Sequence, residues 1–156
     1  MATWQEFEQQ APELATAIGA RFGAALHSIL ATLRADGSPR VAGLEVHFGD
    51  GELWLAMMPD SRKADDLRRD PRFALHTAPD VALVDGDAKV NGWAEEVTDP
   101  AVITRFVERL PQPLPPSGMA LFRGELTGAS LARVDGDHMV IDSWRDGEAA
   151  RQVHRQ

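Results

Sequence analysis

Two adjacent cations mark the most chemically pointed stretch of the chain, Ser61-Arg62-Lys63-Ala64-Asp65-Asp66-Leu67. The pattern predicts a helix over Ser61–Arg69, stopped by Asp70-Pro71, which puts Arg62 and Lys63 in its opening turn. The dipole is positive there and the first N–H groups lack partners, so each cation costs about 0.3–1 kcal/mol unless an anion binds. A phosphate held by Arg62, Lys63, the Ser61 hydroxyl and the free N–H groups explains the placement. The competing explanation is that Asp65 and Asp66 offset the charge while both cations point into solvent.

A second candidate surface lies on Arg40–Phe48, where strict alternation predicts a strand. Ala42, Leu44, Val46 and Phe48 share one face, read as core, and Val41, Gly43, Glu45 and His47 share the other. Gly43 there marks either a bulge or a place where a flat ligand approaches the backbone. The five histidines, His27, His47, His76, His138 and His154, show no HxH or HExxH spacing, so no metal site is expected. No GxSxG elbow or Gly-rich phosphate loop is present, leaving acyl transfer and nucleotide hydrolysis without a starting point.

The elements that must position these residues read as mainly β. Thr3-Trp4-Gln5-Glu6 has the form of a capping box, and Phe7, Ala11, Leu14, Ile18 and Phe22 follow at helical spacing, predicting one helix to about residue 22. Asp-Gly pairs at 36–37, 50–51, 85–86, 135–136 and 146–147 then punctuate candidate strands. These are His27–Leu33, Arg40–Phe48, Leu53–Met57, Phe73–Thr77, Ala88–Val97, Leu121–Val134 and His138–Trp144, a mostly antiparallel set whose natural solution is a barrel. A further helix runs from Asp99 as N-cap to Leu110, and Pro111–Pro116 is a loop.

Length and composition bound the rest. The 156 residues suit a single domain, and a net charge of -8 argues against nucleic-acid partners. The absence of cysteine removes disulfides, thiolate metal sites and a Cys nucleophile, and fits a cytoplasmic setting. The first ten residues carry no apolar leader and no stretch is long enough to span a bilayer, so neither export nor a membrane partner is expected.

Taken in order, Ile29-Leu30-Ala31-Thr32-Leu33, Asp36-Gly37-Ser38-Pro39-Arg40, Gly51-Glu52-Leu53-Trp54-Leu55, and Ser61-Arg62-Lys63 with Leu67 and Asp70-Pro71-Arg72 resemble the pyridoxamine 5'-phosphate oxidase-like split barrels over about residues 25 to 97. The resemblance implies a split β-barrel of six to seven mostly antiparallel strands. It also implies a homodimer with cofactor in the groove between subunits. It assigns the flavin phosphate to Arg62 and Lys63 with Ser61. Arg40, Val41, Ala42 and Gly43 would lie alongside the ring system, and Ala56 and Met57 would make further backbone contact. Trp144, Arg151 and Arg155 are similar to a C-terminal Trp and two Arg residues of the family, of which Trp144 and Arg155 are carried over as cofactor contacts.

The departures matter equally. Glu45 stands where oxidases of pyridoxamine phosphate place a substrate-binding Lys, which implies that this chain is not such an oxidase and that Glu45 meets a different substrate. The late Gly of the fifth strand is kept as Gly92, while the amide usual before it corresponds to Asp87 or to no residue of this chain. The implied function is an FMN-dependent oxidoreductase acting on an unknown small substrate. The alternatives are a reductase using the deazaflavin coenzyme F420, whose anionic tail would use Arg68, Arg69 and Arg72, and a non-catalytic flavin or haem carrier.

Overall fold

The capping box forms as its residues predict: the Thr3 amide donates to the Glu6 carboxylate at 2.7 Å and the Glu6 amide to the Thr3 hydroxyl at 3.2 Å. The computed structural model describes residues 1–156, and in it the first helix is two, α1 (Trp4–Gln10) and α2 (Pro12–Gly23). Pro12 excludes Ala11 from helical geometry, and Ala11 turns the chain at φ -144°. All five apolar positions of the predicted stripe are nevertheless buried.

Nine strands follow: β1 (Ser28–Leu33), β2 (Pro39–Leu44), β3 (Val46–Gly49), β4 (Glu52–Met57), β5 (Arg72–His76), β6 (Asp87–Glu96), β7 (Ala120–Asp135), β8 (His138–Arg145) and β9 (Arg151–Arg155), with α3 (Arg62–Arg69) after β4 and α4 (Pro100–Glu108) after β6. Every pairing is antiparallel, and the order is β2-β1-β5-β6-β7-β4-β3, with β8 added to β7 and β9 to β8. The glycine of each Asp-Gly pair sits at positive φ, and at the β3–β4 turn Asp50 joins Gly51 there at 55° and 74°.

Two strand predictions are corrected. Arg40–Phe48 is not continuous: β2 pairs with β1, β3 pairs with β4, and Glu45 alone lies between them. The two ends of the sheet are thus consecutive halves of one bent strand, which closes the barrel at Glu45 and leaves it split there. Leu44 is buried as expected, whereas Phe48 keeps 37% of its surface exposed and leans on the rings of Trp4 and Phe22. The segment after Trp144, where the sequence predicts no strand, forms β9 against β8.

One core of 26 residues fills the space between the sheet and helices α1 and α2. At its far side Trp144 is 2% exposed and lies 4.4 Å from the Phe7 ring. Gln10 fastens this contact, accepting from the Trp144 indole at 3.1 Å and the Gly147 amide at 2.9 Å while donating to Asp146 at 3.0 Å. A smaller cluster joins Phe106 of α4 to Trp54 and Leu121. No helix is long and apolar enough to cross a membrane.

The β6–β7 register shifts between Asn91 and Gly92, and a Cβ on Gly92 would stand 1.8 Å from the Glu125 carbonyl oxygen. Only glycine fits beside that backbone. Gly92→Ala is expected to cost on the order of 2–4 kcal/mol of stability, read as a lower denaturant midpoint.

Candidate functional site

The split at Glu45 opens a groove of about 410 Å³ between the end of β2, the end of β4, the start of α3 and the proline loop that follows α4. Of the residues singled out in the sequence, Gly43, Ala56, Met57 and Lys63 come together here, with Glu45. Lys63 Nζ donates to the Gly43 carbonyl at 2.8 Å, and burial lowers its pKa from the usual lysine value. Gly43 pairs evenly with Ile29, so no bulge forms there. A Cβ on Gly43 would meet nothing within 4 Å, so the space beside its α-carbon is open to a flat ligand.

Arg40 and Arg62 face a different place, a recess of about 350 Å³ shared with Arg34, Arg69 and the acids Asp36, Asp65 and Asp66. Asp66 organises it. Only 3% exposed, its carboxylate accepts from Arg40 Nε at 2.6 Å, Thr32 Oγ1 at 2.8 Å and Arg69 at 2.9 Å. Burial alone would raise its pKa, but the bonds from Arg40, Arg69 and Thr32 together outweigh it and hold the carboxyl below the usual aspartate value. Nothing in the helical run distinguishes Asp66 from Asp65; its role comes from Thr32 and Arg40 on neighbouring strands.

These pairings remove one half of the competing explanation of the cationic turn, that the two acids offset it. Asp65 and Asp66 pair with Arg68 and Arg69, not with Arg62 or Lys63. Arg62 therefore stands exposed at the start of α3 with its charge uncompensated by either acid. Ser61 is the N-cap, its hydroxyl oxygen accepting from the Ala64 amide at 3.4 Å, which leaves its own O–H free to donate. Arg68 and Arg72 are also committed, to Glu96 and Asp70.

The remaining predicted residues lie elsewhere. Val41 is 70% exposed on the outward sheet face, and Ala42 is half-buried on the opposite one. Trp144 packs its ring on Phe7 and the core and borders a separate recess of about 770 Å³ with Arg145 and Arg151. Arg155 is exposed on β9, opposite Met139. Asp87 supports the turn before β6, accepting from the Asp80 amide at 2.8 Å. The sequence reading left His27 and His47 without a role; both line the groove on either side of Glu45, at 3.8 and 3.9 Å from its carboxylate oxygens. His47 packs edge-on against Phe106, and burial lowers its pKa more than Glu45 raises it.

Residues 17–136 match the family model described as pyridoxamine 5'-phosphate oxidase. Among solved structures, the chain is similar to a pyridoxamine 5'-phosphate oxidase-related, FMN binding protein from Nostoc punctiforme, at 13% identity and TM-score 0.67, covering 93% of this chain and 95% of that one. It is similar to PhzG from Burkholderia lata, solved with tetrahydrophenazine-1-carboxylic acid, at 16% identity and TM-score 0.61 over 94% and 93% of the two chains. An F420 reductase is similar at 24% identity and TM-score 0.53, over 67% of this chain and 89% of that one. These likenesses establish the fold. A comparison with curated proteins gave no match.

The Asp66 clamp yields a signed test. Because its folded pKa is depressed, Asp66 contributes stability that is present above the unfolded carboxyl value, near 4, and is lost as pH falls through the folded value. Asp66→Asn is expected to cost about 2–3 kcal/mol at neutral pH and less in acid, measured by denaturant unfolding at both.

Proposed function

The chain belongs to the pyridoxamine 5'-phosphate oxidase family, and from that premise we propose that it is an FMN-dependent oxidoreductase acting as a homodimer. The observation that carries the proposal is the first turn of α3, where Arg62 faces the basic recess and Lys63 the groove beside Gly43. A phosphate in the recess would meet Arg62, the Ser61 hydroxyl and the free N–H groups of α3, with Arg40 held in place by Asp66. A flat ring in the groove would lie on the open backbone of Gly43 and against Ala56 and Met57.

The bound flavin would supply the hydride chemistry, for which the chain offers no redox-active side chain. The protein's own part is positional. Lys63 ties α3 to β2 through the Gly43 carbonyl, and the proline loop lines the groove. FMN is preferred to the deazaflavin because Arg68, Arg69 and Arg72, the cations available for a longer anionic tail, are each paired with a carboxylate of this chain. Glu45 in the groove disfavours a phosphate-bearing substrate such as pyridoxamine phosphate, since a carboxylate repels a dianion.

The outward face of the sheet supports the reading of a second copy. Ile29, Val41 and Trp93, exposed by 43%, 70% and 45%, share that face across β1, β2 and β6. A single chain leaves this patch in water, and a second copy of this chain would cover it. Arg155, exposed on β9, is the C-terminal cation that this reading assigns to the neighbouring copy's cofactor.

Titration of the purified protein with FMN, followed by quenching of flavin fluorescence, is expected to give affinity on the order of micromolar or better. The Arg62→Glu, Lys63→Glu double variant is expected to weaken it by about tenfold or more. Tighter binding of F420 than of FMN would replace the cofactor. Val41→Asp is expected to yield monomers in sedimentation velocity and to lose FMN affinity with the dimer; a dimeric variant would move the interface elsewhere.

A further inference from the structure

We infer that the groove at the barrel split selects a positively charged, hydrogen-bond-donating group of the substrate, an ammonium or amidinium, and that Glu45 is the residue that selects it. The inference rests on reading this groove as the substrate-facing end of the proposed site, and it names the substrate class that reading leaves open.

Glu45 is held where it is by topology. It is the single residue between β2 and β3, at the bend where one strand leaves its pairing with β1 and takes up pairing with β4. Its side chain is 46% exposed and lines the groove. A structural carboxylate normally has an Arg or Lys partner, as Asp66, Asp70 and Glu96 do here. Glu45 has none. The lysine of the same groove, Lys63, is committed to the Gly43 carbonyl, and the basic neighbours of Glu45 are the imidazoles of His27 and His47, at 3.8 and 3.9 Å.

Those distances are too long for direct hydrogen bonds. An imidazole is largely uncharged at about pH 8, and burial holds His47 further toward its neutral form. Glu45 therefore has no Arg or Lys paired with it, and the one permanent cation of the groove, Lys63, is held at the Gly43 carbonyl.

The opposite wall reinforces this sign. Pro111, Pro113 and Pro115 line the groove and have no N–H to offer. Leu110 and Leu114 beside them contribute apolar surface. Gln112 between them is the one side chain of the loop able to donate as well as accept, and the three prolines reduce the backbone donors beside it, which suits a group rich in N–H. Facing Glu45 are three titratable groups, His27 ahead of β1, His47 on β3 and Lys63 on α3. Once acid protonates His47 against its burial, the imidazolium compensates Glu45 and weakens the preference for a cation.

Benzamidine and benzoate make a matched pair of probes, alike in ring size and opposite in charge. Isothermal titration of the whole protein at about pH 8 is expected to show benzamidine bound more tightly than benzoate. Glu45→Gln should weaken benzamidine about tenfold, Glu45→Lys should reverse the order of the two probes, and wild-type affinity for benzamidine should fall at about pH 5. Undiminished benzamidine binding in a folded Glu45→Gln variant, or tighter benzoate binding by the wild type, would overturn the assignment. The lysine variant keeps the test decisive should the glutamine variant not fold. FMN affinity of the wild type is read separately: benzamidine bound through Glu45 without FMN binding refutes the flavin alone, and FMN binding without Glu45-dependent benzamidine refutes the cation site alone.

Discussion

One strand has to satisfy two neighbours. The backbone of residues 39–49 donates and accepts along β1 in its first half and along β4 in its second, because a barrel of this order leaves no other strand to complete either edge. The bend this forces at Glu45 is the condition on which the rest depends. It closes the sheet without a continuous seam, so a groove remains where the two halves diverge, and the end of β4 and the start of α3 are delivered to its rim.

The charges around α3 are distributed by burial rather than by position along the helix. Asp66 is taken into the protein by Thr32 and Arg40, and Arg69 closes over it. An inward-facing carboxylate with three donors needs no further cation. Asp65 is left to Arg68, so the acids that follow the basic pair in sequence are spent before they reach it. The N-terminus of α3 thereby keeps the positive character that its dipole and Arg62 give it, and Arg40 is aimed by a bond to its Nε that leaves the outer edge of its guanidinium unengaged.

Local rules made most of the scaffold legible. The capping box, the Asp-Gly turns and the helical stripe from Phe7 to Phe22 are statements about neighbouring residues, and each is present. What the sequence did not disclose depends on partners distant along the chain. Alternation from Arg40 to Phe48 continues through the bend, so nothing in the pattern marks Glu45 as the break. The cationic pair was recognisable from its place on a helix, but whether Asp65 and Asp66 cancelled it depended on strands that come together only in the fold. Trp144 entered as a cofactor contact through the family resemblance alone, and its packing on Phe7 is a contact 137 residues away in the chain that no local pattern marks. His27 and His47 carried no motif, because their common neighbour is a carboxylate at the bend and not a residue at fixed spacing.

The contact between Phe7 and Trp144, fastened by Gln10, also has a bearing on how the chain comes into being. During synthesis the first two helices emerge early with an apolar stripe and nothing to cover its far end. The indole that completes the packing arrives only after eight of the nine strands have been translated or nearly so. Vectorial folding from the N-terminus therefore cannot finish the core in stages; the nascent chain must carry an uncovered greasy surface until its last hairpin is released, a window in which chaperone capture competes with closure.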